Sequence, residues 1–101
     1  MMPKLDIYVS HRLSQEEALR RIKHLLGDVK AKFADKITNL HEEWSGNGGE
    51  FSFSAMGFHV SGTLTVSPSA VRLTCDLPLA ALLFKTKIEA AIMERARELL
   101  A

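Results

Sequence analysis

Between His41 and Leu77 the chain alternates apolar and polar residues so regularly that it must form a sheet with one dry face. Phe58, Val60, Leu64 and Val66 alternate with His59, Ser61, Thr63 and Thr65, and Val71, Leu73, Cys75 and Leu77 alternate with Arg72, Thr74 and Asp76. A period of two sends one row into a core and the other into water. Asn47-Gly48-Gly49, Met56-Gly57 and Ser67-Pro68-Ser69 cut the stretch into four strands joined by hairpins. Asn47-Gly48 is a favoured pair for positive φ in the first turn. Phe51, Phe53 and Ala55 point inward, with Ser52 and Ser54 outward. Gly62 stands in the inward row, where a missing side chain lets a helix approach or the sheet coil. The stretch 38–44 is the least regular. Leu40 and Trp44 share a phase with Glu42, so either Glu42 lies near an open edge or a bulge shifts the register.

One greasy sheet face needs cover, and the flanking segments supply it. Leu5, Ile7 and Val9 alternate with Asp6, Tyr8 and Ser10, which predicts an opening strand. Ser14 and Glu17 have the spacing of a reciprocal N-terminal cap, with Leu13 and Ala18 placed for the accompanying apolar contact. Ala18, Leu19, Ile22, Leu25, Leu26, Val29, Phe33 and Ile37 then recur every three or four residues, as on an amphipathic helix. Gly27-Asp28 interrupts it, and a bend or break there is compatible with the pattern. The reading adopted is one long helix ending near Lys36. Pro78 suits the first turn of a second helix, whose apolar positions run from Leu79 to Leu100. The expected fold is therefore a two-layer α+β sandwich of order β-α-β-β-β-β-α. Its curved, mainly antiparallel sheet packs on a long N-terminal helix and a C-terminal helix, loosely like a reduced helix-grip fold.

The 101 residues are expected to form a single domain, 1–101. Thirteen basic and twelve acidic side chains give a net charge of +1, too little to recruit nucleic acid or an anionic membrane by long-range field. One cysteine makes no internal disulfide and fits a reducing compartment. Asp6 interrupts the only candidate signal-peptide core. The longest apolar run, 77–84, falls far short of the ~20 residues a membrane helix needs. The expectation is a cytoplasmic protein without a transmembrane segment.

No catalytic signature stands out. The four histidines, His11, His24, His41 and His59, have no ligand spacing and read as surface residues, so no metal is expected. Asp6 and Asp76 have outward phase. Glu42 is the one acid whose phase aims it at the apolar face. Ser52, Ser54 and Ser61 lack placed partners, and Cys75 reads as a small core residue. Asn47-Gly48-Gly49 joins strands rather than feeding a helix, so it is not a phosphate loop. Arg20, Arg21, Lys23, Lys30, Lys32 and Lys36 give the first helix a basic face. Nucleic acid would also want exposed stacking aromatics, and Phe51, Phe53 and Phe58 are predicted inside. Residues 79–84 are apolar nearly all round. They either complete the core or dock on a partner subunit, a lipid or a hydrophobic surface, with Lys85 and Lys87 snorkelling around the contact.

Taken along its whole length, the chain resembles the small bacterial family of polyhydroxyalkanoic acid system proteins. The resemblance rests on Leu13-Ser14-Gln15-Glu16-Glu17-Ala18 after the first strand, on Trp44, and on Phe51-Ser52-Phe53. It continues in Gly57-Phe58-His59-Val60-Ser61-Gly62, and in the stretch from Leu77-Pro78 to Ile88-Glu89. It implies an association with bacterial polyester storage and granule-coating proteins, and carries over no reaction, cofactor or catalytic residue. The expected function is a non-enzymatic accessory protein that contacts the polyhydroxyalkanoate granule, or a granule-associated protein, through Leu79, Leu82, Leu83 and Phe84. A homodimer is a further expected partner. The alternative is a small apolar-ligand binder with a pocket between the C-terminal helix and Phe53, Phe58, Val60 and Leu64.

Overall fold

In the opening strand, β1 (Lys4–Ser10), Leu5, Ile7 and Val9 are buried while the four residues of the other parity are exposed. The computed structural model describes residues 4–33, 36–55, 57–77 and 85–101. After β1 come α1 (Gln15–Ile22), α2 (Leu25–Lys32), β2 (Ile37–Ser45), β3 (Gly48–Ala55), β4 (Phe58–Val66), β5 (Ala70–Asp76) and α3 (Lys85–Leu100). The sheet order is β1-β5-β4-β3-β2, and every neighbouring pair is antiparallel. The chain thus starts at one edge, crosses the sheet through α1 and α2, and returns strand by strand. This is the expected α+β arrangement. The helices, packed against one another and against the strands, cover the face formed by Leu5, Ile7, Phe51, Phe53, Val60, Leu64, Leu73 and Cys75.

The N-terminal helix is a joined pair rather than one long rod. The break falls at Lys23–His24, where the His24 amide bonds the Arg21 carbonyl at 3.1 Å in a tight turn. Gly27 is not the hinge: it lies inside α2 with open space where its Cβ would be. The turn re-aims the apolar row. Ile22 faces the core from α1, which packs on β4 and α3, while Leu25, Leu26 and Val29 face it from α2, which packs on β2 and α3. Helix α2 also stops short of Lys36, and Ile37, read above as helical, opens β2 as a buried residue.

Three local readings resolve at the same time. Ser14 Oγ accepts the Glu17 amide at 3.2 Å, but the Glu17 carboxylate bonds Arg20 and Arg21 instead of reaching back, so only half of the reciprocal cap forms. Charge-assisted partners outcompete a neutral amide for that carboxylate. In the first hairpin Ser45 pairs with Gly48, so the two turn residues are Gly46 and Asn47, not Asn47 and Gly48. Only Gly46 has positive φ, +58°, as a type II′ turn requires. Strand β2 is an edge strand and also carries a bulge between Thr38 and His41, with Asn39 at φ +55°. Both explanations of Glu42 therefore hold: the bulge sets its phase, and at the sheet edge it is exposed.

Candidate functional site

The apolar face is not sealed everywhere. Between α2, α3, β2 and β3 a recess of about 90 Å³ opens, walled by Leu26, Val29, Phe33, Ile37, Leu40, Phe53, Ala55, Ile88 and Ile92. Exposed Lys36 and Lys87 stand at its rim. Helix α2 ends at Lys32 and the β2 bulge falls between Thr38 and His41, both next to this corner. Small-molecule sites usually span about 300–1,000 Å³, so the recess lacks the room expected of the alternative ligand-binding reading.

Of the four predicted pocket residues, only Phe53 lines this recess, stacked on Phe51 with ring centroids 6.1 Å apart. Val60 and Leu64 are fully buried in the core beneath the helices, and Phe58 is half-buried against it. Of these four residues, Phe53 is the one that meets Ile88 and Ile92 of α3 at the recess. The other predicted contact residues, Leu79, Leu82, Leu83 and Phe84, lie outside the described residues. The chain on either side of them is fixed by Leu77, which is fully buried, and by Ile92 and Ala96 of α3.

The polar candidates are dispersed. His11 corrects the surface reading of the histidines. It is 8% exposed, its Nδ1 accepts the Leu13 amide at 3.1 Å, and Nε2 stands 3.0 Å from the Ser67 carbonyl. Those partners require a neutral ring with the proton on Nε2. With Gln15 Nε2 donating to the Val66 carbonyl, His11 staples the β1–α1 connection to the β4–β5 turn. His24, His41 and His59 are exposed, and β3 separates the last two. Among the described residues no three His, Cys, Asp or Glu side chains gather into a metal-binding group.

Asp6 lies on the outer face, bonded twice to Arg72, whose guanidinium holds the carboxyl below its ordinary range. Burial pushes the Cys75 thiol up to about 12, which leaves it a protonated core side chain. The basic face of the first helix is divided. Arg20 and Arg21 pair with Glu17, Arg21 also donates to the carbonyls of Leu99 and Ala101, and Lys23 sits 5.8 Å over the Trp44 ring. Ser52 and Ser61 join His41, Glu43, Glu50, Thr63 and Asp76 in a broad trough open to solvent. Reasoning from sequence missed the recess and the burial of His11, since both depend on which distant turn meets which strand.

The fold and these sites define a small α+β protein of one antiparallel sheet and one helical layer, with an apolar corner and a polar outer face. No helix among the described residues is long and apolar enough to cross a membrane. A family profile described as "Putative polyhydroxyalkanoic acid system protein" matches residues 5–100, and the chain belongs to that family. No protein with a curated description matches it. Among solved structures it is similar to a quaternary ammonium Rieske monooxygenase crystallised with its substrate L-carnitine, at 10% identity and a TM-score of 0.31. That likeness covers 100% of this chain and 39% of the enzyme's, and at such a score it carries no argument.

Proposed function

We propose that the chain is a non-enzymatic accessory protein of polyhydroxyalkanoate storage, held in the cytoplasm at the granule surface or on a granule-associated protein. The observation that carries this reading is the family match across residues 5–100. The contact is assigned to Leu79, Leu82, Leu83 and Phe84. Its support comes from the rest of the surface: among the described residues Tyr8 is the only large apolar side chain that stands exposed. The outer sheet face otherwise presents Lys4, Asp6, Ser10, Arg72, His59, Ser61, Thr63 and Thr65, which have no reason to leave water for a polyester. An apolar partner is therefore best met by the block at 79–84.

Co-sedimentation tests the proposal. Purified native protein, Leu82→Asp and Phe84→Asp are each mixed with isolated granules and with protein-free polymer particles, after circular dichroism has shown the variants folded. Native protein should pellet and both variants should stay in the supernatant. Pelleting with isolated granules alone assigns the contact to a granule protein. Native protein that pellets with neither particle overturns the proposal.

A further inference from the structure

The two edges of the sheet are built differently. Strand β2 is broken by its bulge, holds Asn39 in the left-handed region and carries Glu42 and Glu43 exposed side by side. Bulges and charges of this kind keep a strand edge from pairing with another chain. Strand β1 has no bulge and no residue in the left-handed region, and its two charges, Lys4 and Asp6, are of opposite sign. It runs seven residues in unbroken register with β5, from Lys4↔Asp76 to Ser10↔Ala70, and no other strand among the described residues pairs with it.

The free hydrogen-bonding groups of β1 can be assigned. The His11 amide donates to the Ser69 carbonyl at 2.9 Å, in continuation of the β1–β5 register. Residues of an antiparallel strand alternate in which neighbour they bond. Leu5, Ile7 and Val9 therefore bond β5, while Lys4, Asp6, Tyr8 and Ser10 turn their amides and carbonyls to the open edge.

We infer that a second copy of this chain occupies that edge, with β1 pairing antiparallel to β1 about a two-fold axis at Ile7. The two sheets then become one. In this register Asp6 faces the partner's Tyr8 and Lys4 faces the partner's Ser10, so all four open residues exchange backbone bonds. A register centred on Asp6 would set two carboxylates against each other, and one centred on Tyr8 would leave Lys4 without a partner. Pairing also employs Tyr8, 63% exposed in a single copy. Its ring comes beside the partner's Asp6 and the Arg72 bonded to it, a contact of aromatic face and cation. Helix α3 packs over β1, so the α3 helices of the two copies lie side by side over the seam and extend the contact beyond the strands.

Sedimentation equilibrium and amide exchange of the native protein test this, with Tyr8→Pro as the variant. Because the Tyr8 amide faces outward, proline there removes no bond to β5 but blocks the incoming strand. Native protein should sediment at twice the chain mass, and folded Tyr8→Pro at the chain mass. In the native dimer the amides of Asp6, Tyr8 and Ser10 should exchange at least about tenfold more slowly than in dilute, monomeric protein. Those of Leu5, Ile7 and Val9 should be protected in both. If Tyr8→Pro fails to fold, the exchange pattern decides. A native monomer overturns the inference, as does a dimer whose Asp6 and Tyr8 amides exchange freely, or one that persists in folded Tyr8→Pro.

Discussion

Replacing Gly62 by alanine puts a methyl group where β5 already stands. Its Cβ would lie 2.1 Å from the Thr74 carbonyl oxygen and 2.6 Å from the Cβ of Cys75. Ordinary contact begins near 3.4 Å, so the two strands must part by roughly 1.3 Å. A ladder bond stretched that far is lost. One or two such bonds at about 1 kcal/mol each, together with about 1–3 kcal/mol for overpacking, give a destabilisation of about 3 kcal/mol. For a domain of this size that lowers Tm by about 15 °C. Gly27→Ala is the matched control, because nothing lies within 4 Å of the added Cβ and the site is interior to α2. There alanine should stabilise by about 0.5–1 kcal/mol. Urea unfolding followed by Trp44 fluorescence and by circular dichroism measures both. The reasoning is refuted if Gly62→Ala unfolds at the native midpoint, or if the two alanines shift stability in the same direction.

His11→Ala strands the Leu13 amide and the Ser67 carbonyl in a part-buried site, so it should cost about 2 kcal/mol in urea unfolding. A midpoint within error of native would show that the staple contributes nothing. Cys75, buried with its thiol pushed up to about 12, should resist a thiol-specific disulfide reagent at pH 8 in native protein and react at once in denaturant. Rapid reaction without denaturant would contradict its burial. Arg72 lowers the carboxyl of Asp6, and Arg20 and Arg21 lower that of Glu17, so these groups contribute stability above the ordinary carboxylate range that fades as pH falls through their folded values. Asp6→Asn combined with Glu17→Gln should therefore flatten the fall of Tm below pH 4.5 and lower Tm at pH 7 by the same modest amount, since the Asp6–Arg72 pair is exposed and the Glu17 pairs are only partly buried. An unchanged acid limb would refute the assignment.

What local pattern decides was legible in the sequence. Leu5, Ile7, Val9, Phe51, Phe53, Val60, Leu64, Leu73 and Cys75 are all buried as their alternation requires, because a one-residue slip would turn a whole row into water. What depends on partners distant in sequence was not legible. Nothing near His11 announces that the 66–70 turn will cover it, and nothing near Glu17 says that two arginines will claim its carboxylate. The periodicity reads as one long helix with Gly27-Asp28 its weakest point by propensity, yet the helix breaks at Lys23–His24, where two packing directions meet. Propensity is a weak term against the burial of Ile22, Leu25 and Leu26. Inward phase likewise marks Val60 and Leu64 as core, but cannot tell a filled core from a cavity, since that depends on the volume of the helices opposite.

The topology also limits how such a protein meets anything else. Among the described residues the helices α1, α2 and α3 lie on one face, and the row of Ser, Thr and charged side chains on the other is suited to water. Thr63 and Thr74 bond each other across β4 and β5, and Arg72 holds Asp6 across β5 and β1, so part of that face already satisfies its polar groups internally. A surface of this kind neither wets a polyester nor binds strongly through charge. Besides the apolar recess, the described residues leave the sheet edges, where backbone groups remain unpaired, and β2 has its bulge and acids in the way. That leaves β1, whose uninterrupted edge makes it the place where association with a second strand costs least distortion.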